Sequence, residues 1–165
     1  MNILIVGLGL IGGSYAKAFK KYTDHVIAGI DRDEKTLKNA LISGAIHKIG
    51  DQNDIKNADL IVVSLYPQAA ADFINENKDN FKSGAIITDS CGVKRAIYDK
   101  LDKSLFDGRV SFIGAHPMAG NQFSGFKYSR SNLFPGAPMV LVPPRFDDMQ
   151  LLDRVKAALE PCKIG

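Results

Sequence analysis

The segment that most constrains this chain is Gly7-Leu8-Gly9-Leu10-Ile11-Gly12, which follows directly on the apolar run Asn2 to Val6. A second apolar run, Val26 to Ile30, ends at Asp31, nineteen positions after the third glycine. The first run is too short and too rich in branched side chains for a helix and suits a buried parallel strand. Leu10 to Lys21 then places Ile11, Tyr15, Ala18 and Phe19 at helical spacing, so the glycines sit at a strand-to-helix turn. In such a frame Gly7 permits the tight turn, Gly9 lets a pyrophosphate approach the backbone, and Gly12 lets the helix pack close to the strand. The exposed N–H groups of the helix start, at Leu10 and Ile11, face the phosphate charge. Asp31 is positioned to accept hydrogen bonds from a ribose. These are the parts of a dinucleotide-binding turn, although a glycine-rich turn with no ligand has the same outline.

A carboxylate at the end of the second strand repels a ribose 2′-phosphate, which favours NAD over NADP. Arg32 works the other way, since an adjacent guanidinium either pairs with that phosphate or lies over the adenine.

The remainder of the chain limits the alternatives. With 165 residues, 45% of them hydrophobic, it has the length of one domain and enough apolar side chain for a sizeable core. Its 21 basic and 18 acidic residues are dispersed without a basic block or interleaved aromatics, so a nucleic-acid footprint is not expected. Cys91 and Cys162 lie far apart, outside any metal-ligand spacing, which favours reduced thiols in the cytoplasm and no metal site. The apolar start is broken by glycines and lacks a basic leader, so it does not read as a signal peptide. No apolar stretch is long enough to span a bilayer.

Strand and helix patterns alternate along the chain, which predicts an α/β fold: a Rossmann-type, doubly wound, mostly parallel sheet with helices on both faces, occupying residues 1–165 as one domain. Asp33 to Ile42 reads as a helix capped by Asp33 and stopped by Gly44, and a short strand is expected at Ile46 to Ile49. Leu60 to Leu65 is a buried strand, and Pro67 stands at the first turn of the next helix. Ala85 to Thr88 is a strand, followed by a helix from Val93 to Leu101. Arg109 to Ala115 is strand-like, and Gly120 to Pro138 is a long polar loop of the kind that is commonly functional. Met139 to Val142 is a strand, and Asp147 to Leu159 is an amphipathic helix. Pro161 to Gly165 looks like the entry to a further strand, so the chain is expected to continue past Gly165 in the natural protein.

In open parallel sheets ligands bind beyond the carboxyl ends of the strands. Three such ends carry polar or chemically useful residues: Ser64-Leu65-Tyr66-Pro67, Asp89-Ser90-Cys91-Gly92, and His116 to Gly120. His25 precedes a strand and His47 sits in a charged turn, so both read as surface histidines. His116 follows an apolar strand, precedes the stiff Pro117 and lies at the cofactor end of the sheet. Its position alone fits a catalytic base and a strand-capping side chain equally well.

The segments GLGLIGGS, GIDRD, TDSCGVKR, HPMAGNQFSG, Asn132-Leu133-Phe134 and APMVLVPP resemble the prephenate dehydrogenase family, which includes arogenate dehydrogenases. The resemblance runs along essentially the whole chain, and HPMAG is far more specific than the glycine turn. It implies NAD-dependent oxidative decarboxylation of prephenate to 4-hydroxyphenylpyruvate, a tyrosine precursor, in an enzyme of aromatic amino acid biosynthesis. It also implies that His116 is the base on the C4 hydroxyl, assisted by a serine whose place here is held by Gly92, with Ser90 as the candidate to supply that hydrogen bond instead. The cofactor contacts it implies are Gly7, Gly9, Leu10, Ile11, Gly12, Asp31, Arg32, Ser64, Leu65, Tyr66, Pro67 and Asp89, with Gly120, Gln122 and Ser124 facing the substrate, prephenate or arogenate.

The chain departs from that pattern at Gly92, where many members carry a serine, and at Gln122, where some carry an acidic residue. Family members add a helical C-terminal domain that makes a homodimer and supplies basic residues for the substrate carboxylates. This chain alone is therefore expected to be inactive. Two other readings share the glycine turn: a nucleotide-sensing regulatory module, and another NAD-dependent dehydrogenase of the β-hydroxyacid type. The first has no use for HPMAG and a long polar loop at the nicotinamide end.

Overall fold

The computed structural model describes residues 1–120, 122–145 and 148–163. Seven strands form one sheet: β1 (Asn2–Val6), β2 (Val26–Ile30), β3 (Lys48–Ile49), β4 (Leu60–Val63), β5 (Ile86–Asp89), β6 (Ser111–Pro117) and β7 (Met139–Val142). Their spatial order is β3-β2-β1-β4-β5-β6-β7. Every neighbouring pair is parallel except β6 and β7, which run antiparallel. The order reverses between β1 and β4. That places the switch point of the doubly wound sheet beside the glycine turn.

Among the described residues five α-helices lie between strands, α1 (Leu10–Tyr22), α2 (Glu34–Ile42), α3 (Gln52–Asn57), α4 (Pro67–Glu76) and α5 (Arg95–Tyr98), and a sixth, α6 (Met149–Leu159), follows β7. Strand residues alternate between two cores because successive side chains point to opposite faces. Ile3, Ile5, Leu60, Val62 and Ile113 pack with Tyr15 and Phe19 of α1 and with Leu151 and Val155 of α6. Leu4, Val6, Ile61, Val63 and Phe112 pack with Ile55, Ala70, Ile74 and Ile97 on the other face. Both faces of the central strands are thus covered, so these strands read as continuous apolar runs.

Local sequence accounts for the helix starts. The Asp33 carboxylate caps α2 by accepting from Thr36 N, and Asp148 caps α6 by accepting from Leu151 N. Pro67 occupies the first turn of α4, where its missing N–H is harmless. By contrast α1 begins at Gly9 without any side-chain cap, so its first-turn N–H groups keep their donors for something else.

The structure departs from the sequence expectations in several places. The helix α3 sits where only a connection was expected. It is held by a capping box in which Asp51 accepts from Asp54 N while the Asp54 side chain accepts from Asp51 N. The helix expected over Val93 to Leu101 is limited to the single turn of α5, and a 3₁₀ turn, Lys103–Phe106, follows it. The strand expected to stop at Ala115 runs through His116 to Pro117, because β7 lies alongside and pairs Ala115 with Leu141 and His116 with Val140. The strand entry expected at the C-terminus is instead a 3₁₀ turn, Glu160–Cys162, whose buried Cys162 packs with the α1 core. Asp147, and Ile164 and Gly165 of that expected strand entry, lie outside the described residues.

Candidate active site

The glycine turn assigns a separate task to each glycine. Gly7 has φ +87°, the left-handed region that favours glycine. A Cβ built on Gly12 would lie 1.8 Å from the Gly7 carbonyl oxygen, so α1 approaches β1 only because that position has no side chain. A Cβ built on Gly9 meets nothing within 4 Å. The space beside the uncapped start of α1 is therefore open at the position where a pyrophosphate needs it. Ser64 follows β4 next to this turn, and its hydroxyl oxygen is buried without a hydrogen-bond partner. An orphaned hydroxyl beside open N–H groups is the residue chemistry a phosphate-bearing ligand satisfies.

Asp31 stands at the end of β2, half-buried. One carboxylate oxygen accepts from Leu8 N at 2.7 Å and the other from Asp33 N at 2.9 Å. The carboxylate thus anchors the glycine turn as well as facing the groove, and each oxygen retains a lone pair for a further donor. Arg32 is exposed beside it. Ser64, Leu65 and Tyr66 form the β4–α4 connection that leads into Pro67, with Tyr66 87% exposed and Leu65 packed over Gly7. The chemistry of this set suits a dinucleotide: an uncapped helix start at Leu10 and Ile11 for phosphate, the carboxylate of Asp31 for ribose hydroxyls and the unpartnered hydroxyl of Ser64.

His116 lies half-buried near the carboxyl end of β6, facing the segment that leaves β5. Its Nδ1 is 3.4 Å from the Ser90 carbonyl oxygen. A carbonyl only accepts, so that contact places the proton on Nδ1 and leaves the lone pair on Nε2. Ser90 therefore meets the imidazole through its backbone rather than through the hydroxyl. A Cβ built on Gly92 would lie 3.6 and 3.7 Å from the imidazole Cε1 and Nε2, ordinary contact distances. That side of the ring therefore has room for a small side chain at position 92.

Asp89 behaves differently from the other residues expected to touch the cofactor. Its carboxylate is fully buried and turned inward, with partners at Cys91, Lys94 and Ala115. The reason is the end of the β5–β6 ladder at Thr88 and Ile113, beyond which the Asp89 side chain substitutes for a backbone partner. The residue that sequence reasoning missed here is Lys94. Its spacing from Asp89 was visible in TDSCGVKR, but not that both side chains fold back onto β6.

Gly120, Gln122 and Ser124 are exposed in the loop after β6. That loop returns over α1: the Phe134 ring lies tilted against that of Tyr15 with centroids 4.5 Å apart, Lys17 Nζ donates to the Ser129 carbonyl, and Arg130 N donates to Ser14 Oγ. The loop thus joins the end of β6 to the helix that begins at the glycine turn. Burial among apolar groups and the nearby Asp89 charge push the Cys91 thiol up to about 12, and the thiol donates to the Leu65 carbonyl. That is a packing cysteine rather than a nucleophile. Among the described residues no group of three or more His, Cys, Asp or Glu side chains could hold a metal ion.

Comparison with known proteins agrees with this arrangement. The family profile described as "Prephenate dehydrogenase, nucleotide-binding domain" matches residues 15–164. The chain belongs to this family. It is 32% identical over 163 residues to prephenate dehydrogenase of Bacillus subtilis, an alignment covering 96% of this chain and 44% of that protein. The crystal structure of Synechocystis arogenate dehydrogenase superposes with a TM-score of 0.89 at 31% identity, covering 100% of this chain and 58% of that one. Prephenate dehydrogenase from Aquifex aeolicus, in complex with hydroxyphenyl propionate and NAD+, superposes with a TM-score of 0.86 at 28% identity, over 100% of this chain and 58% of that one. The chain thus spans about half the length of these relatives.

Proposed function

We propose that this chain is the NAD-binding part of an enzyme that oxidatively decarboxylates prephenate, or its amino analogue arogenate, to an aromatic product. The observation that carries the reading is His116: it stands at the carboxyl end of β6 with Nδ1 on a carbonyl and its Nε2 lone pair available, in a chain of the prephenate dehydrogenase family. The open space at Gly9, the orphaned Ser64 hydroxyl and the Asp31 carboxylate support a dinucleotide, and a carboxylate at that position favours NAD over NADP. Bound NAD+ supplies the hydride acceptor. The chain's own task at the reacting carbon falls to His116, whose Nε2 takes the proton of the C4 hydroxyl as the C4–H bond breaks. The Ser90 carbonyl accepts from Nδ1–H before the step and remains a partner for it when the ring becomes charged. The ring carboxylate then leaves as CO₂ and its bonding electrons complete the aromatic ring.

Gly120, Gln122 and Ser124 belong to this proposal as substrate-facing residues, supported by their exposure directly beyond β6. Homodimerisation and a cytoplasmic location of the full-length protein belong to it as well, supported by family membership alone. Among the described residues no helix is long and apolar enough to cross a membrane.

In the full-length protein, His116→Asn is expected to leave NAD affinity unchanged and to lower kcat by about 10² to 10⁴. The wild-type rate should fall at acid pH as the imidazole is protonated, and the variant should lose that dependence. A variant with near-normal kcat and the wild-type pH profile would overturn the assignment.

A further inference from the structure

At the carboxyl end of β5 the backbone ladder to β6 stops, and two charged side chains continue it. Asp89 Oδ1 accepts from Ala115 N at 3.1 Å, while Lys94 Nζ donates to the Ala115 carbonyl. Both hydrogen-bonding groups of Ala115 on that edge are thus taken by side chains in place of a neighbouring strand. The two side chains are joined to each other, Lys94 Nζ to Asp89 Oδ2 at 2.6 Å, with the carboxylate fully buried and the lysine side chain only 13% exposed. Asp89 Oδ2 also accepts from Cys91 N at 2.9 Å, which fixes the turn carrying Ser90 and Gly92. The fold makes room for this lysine: a Cβ built on Gly114 would lie 2.7 Å from the Lys94 Cδ.

A buried ion pair is a poor way to gain stability, because desolvating two charges offsets most of their attraction. Its placement suggests another use. Ala115 is the residue before His116, and the turn held by Asp89 carries the Ser90 carbonyl that meets His116 Nδ1. One ion pair therefore fixes both the imidazole's own backbone and the backbone of its partner. We propose that Asp89 and Lys94 are positioning residues for His116, setting the ring's orientation and the electrostatic balance at its two nitrogens. This rests on the reading of His116 as the base, but it concerns the ring itself and is testable without turnover.

Among the described residues the charged and titratable groups around the ring's support are Asp89 on β5, Lys94 and Cys91 on the segment after it, Tyr98 on α5 and Tyr15 on α1. Burial and the Cys162 and Asp89 charges hold the Tyr15 phenol well above its ordinary value. The Tyr98 hydroxyl accepts from Gly114 N and donates to the Val142 carbonyl. On the other side of β6, β7 contributes the apolar Val140 opposite His116. Cys91 and Tyr98 are both pushed up to about 12, chiefly by burial, and are neutral when an imidazole titrates. The balance at His116 is then set by the ion pair, with opposite signs for its two members. Removing the lysine charge leaves a carboxylate that favours imidazolium. Removing the carboxylate charge leaves an ammonium that opposes it.

The test is the titration of His116 followed by NMR of its ring protons in this chain, assigned with His116→Asn, for Lys94→Met, Asp89→Asn and the neutral pair Asp89→Asn/Lys94→Gln. The expected result is a midpoint raised by at least about half a pH unit in Lys94→Met and lowered by a similar amount in Asp89→Asn. In the neutral pair the midpoint should return towards wild type. NAD affinity should change less than about threefold in every folded variant, since the glycine turn is untouched. A role confined to stability predicts lower melting temperatures with the His116 midpoint unmoved, and that result would overturn the proposal. Failure of all three variants to fold would also overturn it, by making the pair a requirement of the fold. If the midpoints shift as expected while His116→Asn retains full kcat in the full-length protein, the positioning stands and the catalytic reading of His116 falls.

Discussion

Gly9 and Gly12 stand three positions apart in one turn, yet the structure gives them opposite sensitivities. Gly12 has no room for a Cβ, because the Gly7 carbonyl lies 1.8 Å from where it would be. Gly9 has open space and φ −75°, a conformation that any L-residue adopts. Gly12→Ala is accordingly expected to lower unfolding free energy by about 1–3 kcal/mol through forced displacement of α1 from β1. Gly9→Ala should change it by less than about 1 kcal/mol, the scale of a helix-cap substitution, while weakening NAD binding at least about tenfold by filling the pyrophosphate's approach. Urea denaturation and calorimetric titration of both variants check this, and equal losses of affinity and stability in the two would contradict the division of labour. The same separation of roles is legible in the G-x-G-x-x-G spacing. The second role of Asp31 is not: a sequence pattern points to the ribose but does not reveal that Leu8 N donates to the same carboxylate.

Among the elements, those defined by a long apolar period were readable and those defined by tertiary pairing were not. The strands β1, β2 and β4 and the helices α1, α2 and α4 follow from runs and caps that act within a few residues. The helix α3 was hidden because only Ile55 of its six residues is buried, so it has almost no apolar period, and the capping box that holds it is a purely local polar device. The antiparallel direction of β7 was hidden as well, since Met139 to Val142 carries no mark of its partner. For the same reason the extension of β6 through His116 could not be read, although it fixes the backbone of the candidate base. The loop between β6 and β7 depends on packing at a distance. Phe134 has no exposed surface and its ring lies 4.5 Å from that of Tyr15. Phe134→Ala should lower the unfolding free energy by about 3–5 kcal/mol, and Phe134→Leu by about 1–1.5. Urea denaturation followed by circular dichroism measures both. A loss below about 1 kcal/mol for the alanine variant would show that the loop does not depend on this ring.

Across the molecule the two ends of the sheet are held by different chemistry. The carboxyl end, where the dinucleotide turn and His116 lie, is fixed by hydrogen bonds to buried or half-buried carboxylates, Asp31 and Asp89. The opposite end is tied by partly exposed ion pairs. Asp59, which precedes β4, accepts from Asn2 N at the start of β1 and pairs with Lys82 ahead of β5. Asp102 pairs with Lys78 and caps the turn that leads towards β6 by accepting from Ser104 N. The hydrogen bond from Lys82 holds the Asp59 carboxyl below the usual carboxylate range, and that from Lys78 does the same for Asp102. A carboxylate whose folded pKa lies below its unfolded value of about 3.9 contributes stability that is fully present above that pH. The contribution is lost as pH falls through the folded value. The melting temperature should therefore be nearly flat from about pH 7 to 5 and fall steeply below about pH 4. Asp102→Asn should melt lower than wild type at neutral pH and show a shallower acid decline, because its share of the pH-dependent stability is already gone. Thermal melts of the two proteins at intervals from pH 7 to 2 decide the matter: parallel curves would mean that Asp102 carries none of the acid sensitivity and that the Lys78 pair contributes nothing to holding this end of the sheet.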